Sequence, residues 1–461
     1  MDILVIGGGP GGYVAAIAAA KRGAKVTLVE KDMLGGTCLN RGCIPTKAIL
    51  HSAKLFHEAK SFAELGIVTS EPQVDYAAVV RRKEGIVKQL RGGVEFLLGK
   101  AGAEVIKGGA RFLSRDKVAV KTAEGEIGLE AKNVIIATGS VPCNLPFLEA
   151  DGKNIINSDH ALALCELPKS MVVIGGGVIG CEFAQAFARL GVTVTILEAL
   201  GSLVATMDGD LSALMTRVLK KDGVDIHLSC RVQGAQDTGA GVCVTYTESD
   251  GTQKSVTADK VLVAAGRRAV ADGLDAHEAG VAMDERGNIP VDGGCRTNVS
   301  GIYAIGDVTG GIQLAHVASH QAEIAVGNLF GDKLEMDERI VPYCIYTSPE
   351  MAAMGYTEQK ASEAGYTVKT GMFAASANGR SMIEGMRDGF SKAVLDAGDG
   401  TVLGIHLAGP NVTEMVSPFA GVIKFEATGE DVAQMIFAHP TVSEFIRESI
   451  LDADKKAIHK V

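Results

Sequence analysis

The amino-acid sequence predicts an α/β protein with two nucleotide-binding units and a C-terminal module of a different kind. Three observations support this prediction. A strand, a glycine-rich turn and a helix open the chain, the same arrangement recurs in its middle, and no third copy follows residue 341. A length of 461 residues also exceeds what one hydrophobic core usually organises, so several domains are expected.

The composition is that of a globular protein, with 47% hydrophobic and 22% charged residues. The 57 glycines exceed the average share of roughly 7% and fit many tight turns and close contacts between backbone and phosphate. A net charge of −10 argues against nucleic acid or an anionic membrane as a partner. No apolar run has membrane-spanning length, and the first strand begins at Asp2, so we expect a cytoplasmic protein without a targeting peptide.

The first unit spans residues 2 to 30. An apolar strand leads into Gly7-x-Gly9-x-x-Gly12, an alanine-rich helix follows, and a second strand ends at Glu30. The glycines permit a tight turn and let backbone N–H groups and the helix dipole meet a pyrophosphate, while Glu30 binds ribose hydroxyls. The pattern predicts a dinucleotide site of the Rossmann type.

The second unit repeats the first without a gap, since Leu4 to Glu30 aligns with Val172 to Glu198. Two copies imply two dinucleotides. Glu198 would repel a 2′-phosphate, and the segment that follows it has no Arg or Lys to bind one, so NAD is favoured over NADP. Two later segments, residues 134–140 and 261–267, each consist of a buried strand that runs into a glycine turn. These segments, called the echoes below, are predicted to supply the last strand of each unit.

Cys38 and Cys43 lie among glycines at the start of an apolar-periodic run, where a helix is expected to begin. A helix dipole lowers a thiolate pKa, and the spacing allows a small disulfide ring. A structural bridge is disfavoured in a chain that looks intracellular, and a zinc half-site lacks a second Cys/His pair. Of the three hypotheses a redox-active dithiol is favoured. The other seven cysteines are interpreted as buried thiols.

The stretch GGTCLNRGCIPTK, residues 35–47, resembles the redox-disulfide motif of the flavoprotein disulfide reductases. The residues Leu-Asn-Arg and Ile-Pro-Thr-Lys inside this stretch resemble those of one member family of the flavoprotein disulfide reductases, the dihydrolipoamide dehydrogenases. The resemblance implies an FAD-binding domain with a redox-active disulfide at 1–150, an inserted NAD-binding domain at 151–270, a return to the FAD domain at 271–340, and an α+β dimerisation domain at 341–461.

The resemblance also implies cofactor-binding residues. Asp307, at the end of a strand, would bond the ribityl chain of FAD, and Glu182 would be the counter-ion of Lys47. The residues expected to bind FAD are Gly7, Gly9, Gly12, Glu30, Lys47, Ala110, Thr138, Gly139, Asp307 and Ala315. Those expected to bind NAD are Gly175, Gly177, Gly180, Glu182, Glu198 and Gly266.

The catalytic residues implied by the resemblance are Cys38, Cys43, His439 and Glu444. A dihydrolipoamide thiol, deprotonated by His439, would attack Cys38, and the second substrate sulfur would then release lipoamide. Cys43 would lie against the flavin, and two electrons would pass through FAD to NAD. Glu444 would orient His439, with Pro440 starting a helix between them. The implied partners are a lipoyl domain of a 2-oxo acid dehydrogenase complex or glycine cleavage system, and a second copy in a homodimer.

Two alternatives remain open at this point. A glutathione-type or other disulfide reductase is weakened by the predicted NAD preference. A flavin redox sensor without turnover is weakened by the His439 and Glu444 pair, because a sensor needs no proton acceptor. His316 and His320 have metal-ligand spacing, but no third ligand is evident and no metal is expected.

Three smaller expectations complete the sequence analysis. The basic triplet at residues 81–83 is interpreted as a solvated helix face. Two C-terminal helices are expected at about residues 412–427 and 430–437.

Overall fold

A computed structural model describes residues 1–460. The opening strand of the first unit lies in the middle of a five-stranded parallel sheet. Its apolar side chains are therefore buried on both faces of the sheet. In spatial order the strands of this first sheet are Ile302–Ala304, Asn133–Ile136, Asp2–Ile6, Lys25–Glu30 and Glu104–Lys107.

The second unit builds another five-stranded parallel sheet with its opening strand in the same central place. Its strands, in spatial order, are Asp225–His227, Thr193–Leu197, Ser170–Ile174, Lys260–Val263 and Ile155–Ile156. The two predicted echoes supply Asn133–Ile136 and Lys260–Val263, each beside the opening strand of its own sheet. The α/β fold with two nucleotide units is therefore confirmed.

Smaller antiparallel elements accompany the two parallel sheets. Each unit has a three-stranded sheet, formed by Gly109–Ser114, Lys117–Thr122 and Gly125–Glu130 in the first and by Arg231–Asp237, Val242–Thr247 and Gln253–Ala258 in the second. A two-stranded ribbon of Ser140–Pro142 and Arg267–Ala269 connects the units. Each ribbon strand comes within a few residues of the end of Asn133–Ile136 or Lys260–Val263, one strand from each parallel sheet.

Seven of the eight helices in the two units begin after a glycine or a polar residue that caps the helix. Through the two units the eight helices are Pro10–Lys21, Gly36–Arg41, Cys43–Ala59, Tyr76–Ala101, Ser158–Leu162, Val178–Arg189, Gly209–Lys221 and Ala315–Leu329. The basic triplet on Tyr76–Ala101 is only partly solvated, which corrects the sequence interpretation. Lys83 is buried, and its Nζ donates to the Leu162 carbonyl at 2.7 Å.

The C-terminal module is an antiparallel five-stranded sheet with short helices. Its strands, in spatial order, are Tyr343–Ile345, Glu350–Gly355, Val402–Gly409, Phe390–Asp396 and Val368–Ala374. Its helices are Glu358–Glu363, Gly379–Ile383, Val412–Met415, Phe419–Lys424, Gly429–Ala433 and Glu444–Asp452. The last helix packs on the sheet, where Ser449 and Ser391 share a hydrogen bond of 2.7 Å.

Several local predictions for this module and for the cysteines are wrong. The helix expected at 412–427 is divided in two just before Pro418, whose missing N–H cannot continue a helix, and the next helix ends at Ala433. Pro440 does not start the last helix, which begins at Glu444. Of the seven unpaired cysteines only three are buried: Cys181, Cys230 and Cys295. Among residues 1–460 no helix is both long enough and apolar enough to cross a membrane.

Candidate active site

One cavity of about 1910 Å³ reaches both glycine turns and both sulfurs of the dithiol. It lies at the carboxyl ends of the central parallel strands, the usual binding position in open α/β sheets. Most of the residues expected from the sequence line it: Cys38, Cys43, Gly7, Gly9, Glu30, Lys47, Ala110, Thr138, Gly139, Asp307 and Ala315, together with Gly175, Gly177, Glu182, Glu198 and Gly266.

The third glycine of each turn has a packing role instead. A Cβ at Gly12 would collide with the carbonyl oxygen of Gly7, and one at Gly180 would collide with that of Gly175. The first glycine of each turn has a positive φ, 106° at Gly7 and 112° at Gly175, which disfavours any side chain there. These glycines let the helix approach the strand end, so that the helix N-terminus faces the cavity.

The two acids at the strand ends are held in matching positions. Glu30 accepts hydrogen bonds from the N–H of Gly8 at 2.6 Å and of Asp32 at 2.7 Å. Glu198 accepts from the N–H of Gly176 and, at 2.6 Å, from that of Leu200. Both carboxylates are therefore fixed beside their glycine turn, where the ribose of a bound dinucleotide would lie.

Cys38 and Cys43 form a disulfide with their Cα atoms 4.6 Å apart. A helix begins inside this stretch as expected, at Cys43, but a second, short helix precedes it, because Gly42 breaks the chain direction between Gly36–Arg41 and Cys43–Ala59. Cys38 therefore lies within the first helix, and Cys43 is the first residue of the second. This position places Cys43 at the positive end of a 17-residue helix, which favours a thiolate after reduction.

Lys47 lies one helical turn after Cys43 and lines the same cavity. Its Nζ donates to Glu182 at 2.8 Å and lies 4.8 Å from the centre of the Tyr346 ring. The second oxygen of Glu182 accepts from the Tyr346 N–H at 2.9 Å, so both carboxylate oxygens are engaged within the chain. The carboxylate is thus bound to Lys47, as expected of a counter-ion. Burial raises the pKa of Tyr346 to about 12, so its phenol stays neutral.

Sequence analysis missed a network at the connecting ribbon. The Ser140 hydroxyl donates to Asp307, and Arg267 donates to both the hydroxyl and the carbonyl of Ser140, at 2.8 Å each. Ser140 and Arg267 end the two echoes recognised in the sequence, so their parallel positions were the available signal. The network joins the second unit to the carboxylate of Asp307 in the first.

A buried polar atom in the cavity wall lacks a partner. Thr138 Oγ1 is inaccessible to solvent and makes no hydrogen bond within residues 1–460. It follows the strand Asn133–Ile136 beside the first glycine turn, where a bound dinucleotide could satisfy it. The donor set around this turn therefore fits a phosphate-containing cofactor better than an apolar ligand.

His439 and Glu444 form a pair away from this cavity. His439 Nδ1 lies 2.9 Å from Glu444, and the Thr441 N–H donates to the other carboxylate oxygen at 2.8 Å. Burial opposes ionisation of Glu444, but these contacts outweigh it and hold the pKa of the carboxyl below its usual range. The His439 side chain is 79% exposed, and in the described part of the chain neither residue lines the cavity. One chain alone therefore does not bring the pair to its own disulfide cavity.

The two histidines with metal-ligand spacing have separate partners. His316 Nε2 donates to the Pro342 carbonyl at 2.8 Å, and His320 lies 3.7 Å from Glu323. Across residues 1–460 no group of three or more His, Cys, Asp or Glu side chains could hold a metal ion.

The chain matches two family models. Residues 1–322 match the pyridine nucleotide-disulphide oxidoreductase model, and residues 341–450 match the dimerisation domain of that family. Dihydrolipoyl dehydrogenases from Bacillus subtilis (strain 168) and Geobacillus stearothermophilus are both 42% identical to this chain. The first match covers 100% of both chains, and the second covers 99% of this chain and 97% of the relative.

Two solved structures are similar over nearly the whole chain. LpdA from Mycobacterium tuberculosis has a TM-score of 0.91 at 28% identity, covering 98% of this chain and 99% of its own. The HOCl-induced flavoprotein disulfide reductase RclA from Escherichia coli has a TM-score of 0.87 at 30% identity, with the same coverage.

Proposed function

Because the chain belongs to the pyridine nucleotide-disulphide oxidoreductase family, we propose that it oxidises protein-bound dihydrolipoamide to lipoamide with FAD and NAD. The main support is the Cys38–Cys43 disulfide in the wall of a cavity that also reaches both glycine turns. The full-length likeness to dihydrolipoyl dehydrogenases favours this substrate over other disulfides.

The thiol chemistry uses groups of this chain. A substrate thiolate attacks the Cys38 sulfur, the disulfide bond breaks, and Cys43 leaves as a thiolate. The second substrate thiol then attacks the sulfur that is bound to Cys38, which closes the cyclic disulfide of lipoamide and releases the Cys38 thiol. FAD, when bound, would supply the two-electron acceptor for reoxidation of the Cys38 and Cys43 thiols to the disulfide, with NAD as the final acceptor. Lys47 and the helix dipole stabilise the negative charge on Cys43.

His439 accepts the substrate thiol proton in this proposal. Glu444 binds Nδ1 of the ring, which leaves Nε2 free to face a thiol, and it stabilises the imidazolium that forms. The depressed pKa of Glu444 keeps the carboxylate ionised at neutral pH. Its support of His439 is therefore present at neutral pH and is lost as the pH falls through the folded pKa of Glu444.

The cofactor roles of the cavity residues follow from their positions. The first turn with Glu30, Thr138 and Asp307 would hold FAD, and the second with Glu198 and Gly266 would hold NAD. We further propose that the chain divides into an FAD domain at 1–150 and 271–340, an NAD domain at 151–270 and a dimerisation domain at 341–461. The seven unpaired cysteines fit a reducing compartment, so we place the reaction in the cytoplasm, with a lipoyl domain as partner.

Substrate choice is tested by turnover of the purified flavoprotein. Dihydrolipoamide with NAD should be oxidised rapidly, whereas glutathione disulfide with NADPH should be reduced at least on the order of a hundredfold more slowly. The reverse preference would replace this function with a glutathione-type one. Flavin reduction by NADH without turnover of any disulfide would favour the redox sensor.

The exposed His439 should serve the disulfide of a partner subunit, because the family pairs through this C-terminal domain. Under two-fold symmetry, Cys38→Ser and His439→Ala chains that exchange subunits form mixed dimers with one intact site. Random pairing makes about half of the dimers mixed, so about a quarter of wild-type activity should return. No recovery despite demonstrated exchange would show that His439 acts within its own chain.

A further inference from the structure

The loop after Glu198, residues 199–208, packs on the second glycine turn. The Val204 N–H donates to the Gly176 carbonyl at 2.8 Å, and the Leu203 side chain fills the space that a Cβ at Gly176 would need. Val204 has a φ of 43°, an uncommon and strained conformation for a β-branched residue. The loop therefore needs contacts elsewhere to keep this form.

The far end of the loop is bound to the C-terminal sheet. Lys392 Nζ lies 3.2 Å from both oxygens of Asp208, the residue that ends the loop and caps the helix Gly209–Lys221. The side chains are 7% and 3% exposed, so this ion pair is almost fully removed from water. Lys392 belongs to the strand Phe390–Asp396, far along the chain from the nucleotide turn.

Two further carboxylates complete the cluster. Asp210 lies 2.7 Å and Glu358 3.0 Å from Lys392 Nζ, and both are half exposed. Burial alone would lower the pKa of Lys392, but the three carboxylates outweigh it and raise the pKa, so the lysine stays charged. Only Asp208 would be left as a buried, unpaired charge if the lysine were removed, and such a charge is strongly destabilising.

We propose that Lys392 is a positioning residue for the nucleotide site of the second unit, because through Asp208 it holds the loop 199–208 against the glycine turn. The loop lines the cavity and its first residues fix the Glu198 carboxylate, so its displacement changes the ribose-binding face. This inference rests on the proposed function, in which the second unit binds NAD. Lys392 itself does not line the cavity in the described part of the chain.

The test is Lys392→Met in the full-length flavin-loaded protein, with Lys369→Met as the matched control. Lys369 lies on the neighbouring strand and pairs with Asp454 at 2.7 Å within the C-terminal module. ADP-ribose, a redox-inert fragment of NAD, is titrated by calorimetry. Lys392→Met should weaken its binding roughly tenfold and raise the KM for NAD similarly. Flavin reduction by dihydrolipoamide and the kcat at saturating NAD should change less than about twofold, since neither depends on nucleotide affinity.

Two more variants separate positioning from general stability. Lys392→Arg keeps the charge and should bind ADP-ribose within about threefold of wild type, whereas Asp208→Asn should resemble Lys392→Met. Asp208→Asn also answers the question if Lys392→Met fails to fold. Wild-type affinity in Asp208→Asn or in a folded Lys392→Met would overturn the inference, as would equal losses in Lys369→Met. If the wild type bound ADP-ribose but were not reduced by dihydrolipoamide, the proposed substrate would fail while the role of Lys392 stood.

Discussion

The two nucleotide units use the same contacts through the acid and the segment that packs back on the glycine turn, and they differ only after that segment. After Glu30, the Leu34 side chain packs at Gly8 and the Gly35 N–H donates to the Gly8 carbonyl at 2.8 Å. The second unit repeats this with Leu203 and Val204 at Gly176, and Gly35 and Val204 both have positive φ. After Gly35 the polypeptide enters the helix that carries Cys38, whereas after Val204 it continues as a loop to Asp208.

This difference changes how far each glycine turn is covered. A Cβ at Gly36 would lie 2.6 Å from the Gly9 Cα, so the segment leading to the disulfide lies directly on the first turn. Gly9 is half-buried, and a Cβ on it would meet only the Gly36 Cα, at 3.8 Å. Gly177, the counterpart of Gly9, is exposed, and a Cβ on it would meet no atom within 4 Å. Both turns line the cavity, but the redox segment partly covers the first turn, here called closed, and leaves the second open. This difference suits a retained flavin and an exchangeable NAD.

The largest effect should come from removing a sulfur, because only the first unit carries the dithiol. Cys43→Ser should lower dihydrolipoamide oxidation by at least on the order of a thousandfold, since disulfide exchange needs both sulfurs. ADP-ribose binding at the second unit should stay unchanged. On two-electron reduction, the long-wavelength flavin absorption should persist in Cys38→Ser and disappear in Cys43→Ser. The opposite pattern would mean that the two sulfurs have exchanged roles.

The next effect should follow from Gly36→Ala, which forces the dithiol segment away from Gly9. Flavin retention should weaken on the order of tenfold, about 1.4 kcal/mol, because the cover over the first turn must shift. The measurement is flavin content after gel filtration, with Gly177→Ala as the control at the open turn. Equal flavin loss in both variants would remove the distinction between closed and open turns.

Glu198→Arg should have a smaller effect that is confined to the second unit. Removing the charge and adding a base should shift the NAD/NADP ratio of kcat/KM by on the order of 2 kcal/mol, the scale of one charge-assisted contact. Flavin content should not change, because Glu30 is the matching acid at the first turn. A wild type that already preferred NADPH would contradict the assignment of Glu198 to the ribose.

The smallest effect, on the free energy of unfolding, is expected from a substitution in the loop 199–208. Val204→Gly removes the strain of a positive φ but adds backbone entropy to the unfolded chain, so the two terms nearly cancel. The free energy of unfolding should rise by about 0.5 kcal/mol, measured by denaturant titration. A clear loss of stability would show that the Val204 side chain contributes packing that outweighs its strain.

The periodic and repeated features could be predicted from the sequence, and the contacts between distant segments could not. The gapless repeat from Leu4 to Glu30 revealed both sheets, because strand, turn and acid recur in fixed order. The break at Gly42 was missed since helix boundaries depend on local backbone angles. The burial of Lys83 and Lys392 was missed because their partners, the Leu162 carbonyl and Asp208, are far away in sequence.

Cofactor retention in the intact dimer tests the comparison of the two units most directly. The protein is incubated with excess FAD and NAD and passed through a desalting column, and both nucleotides are then counted per chain. The closed first turn and the open second turn predict one retained FAD per chain and almost no NAD. Retention of both nucleotides, or loss of both, would contradict the claim that the dithiol segment distinguishes the two sites.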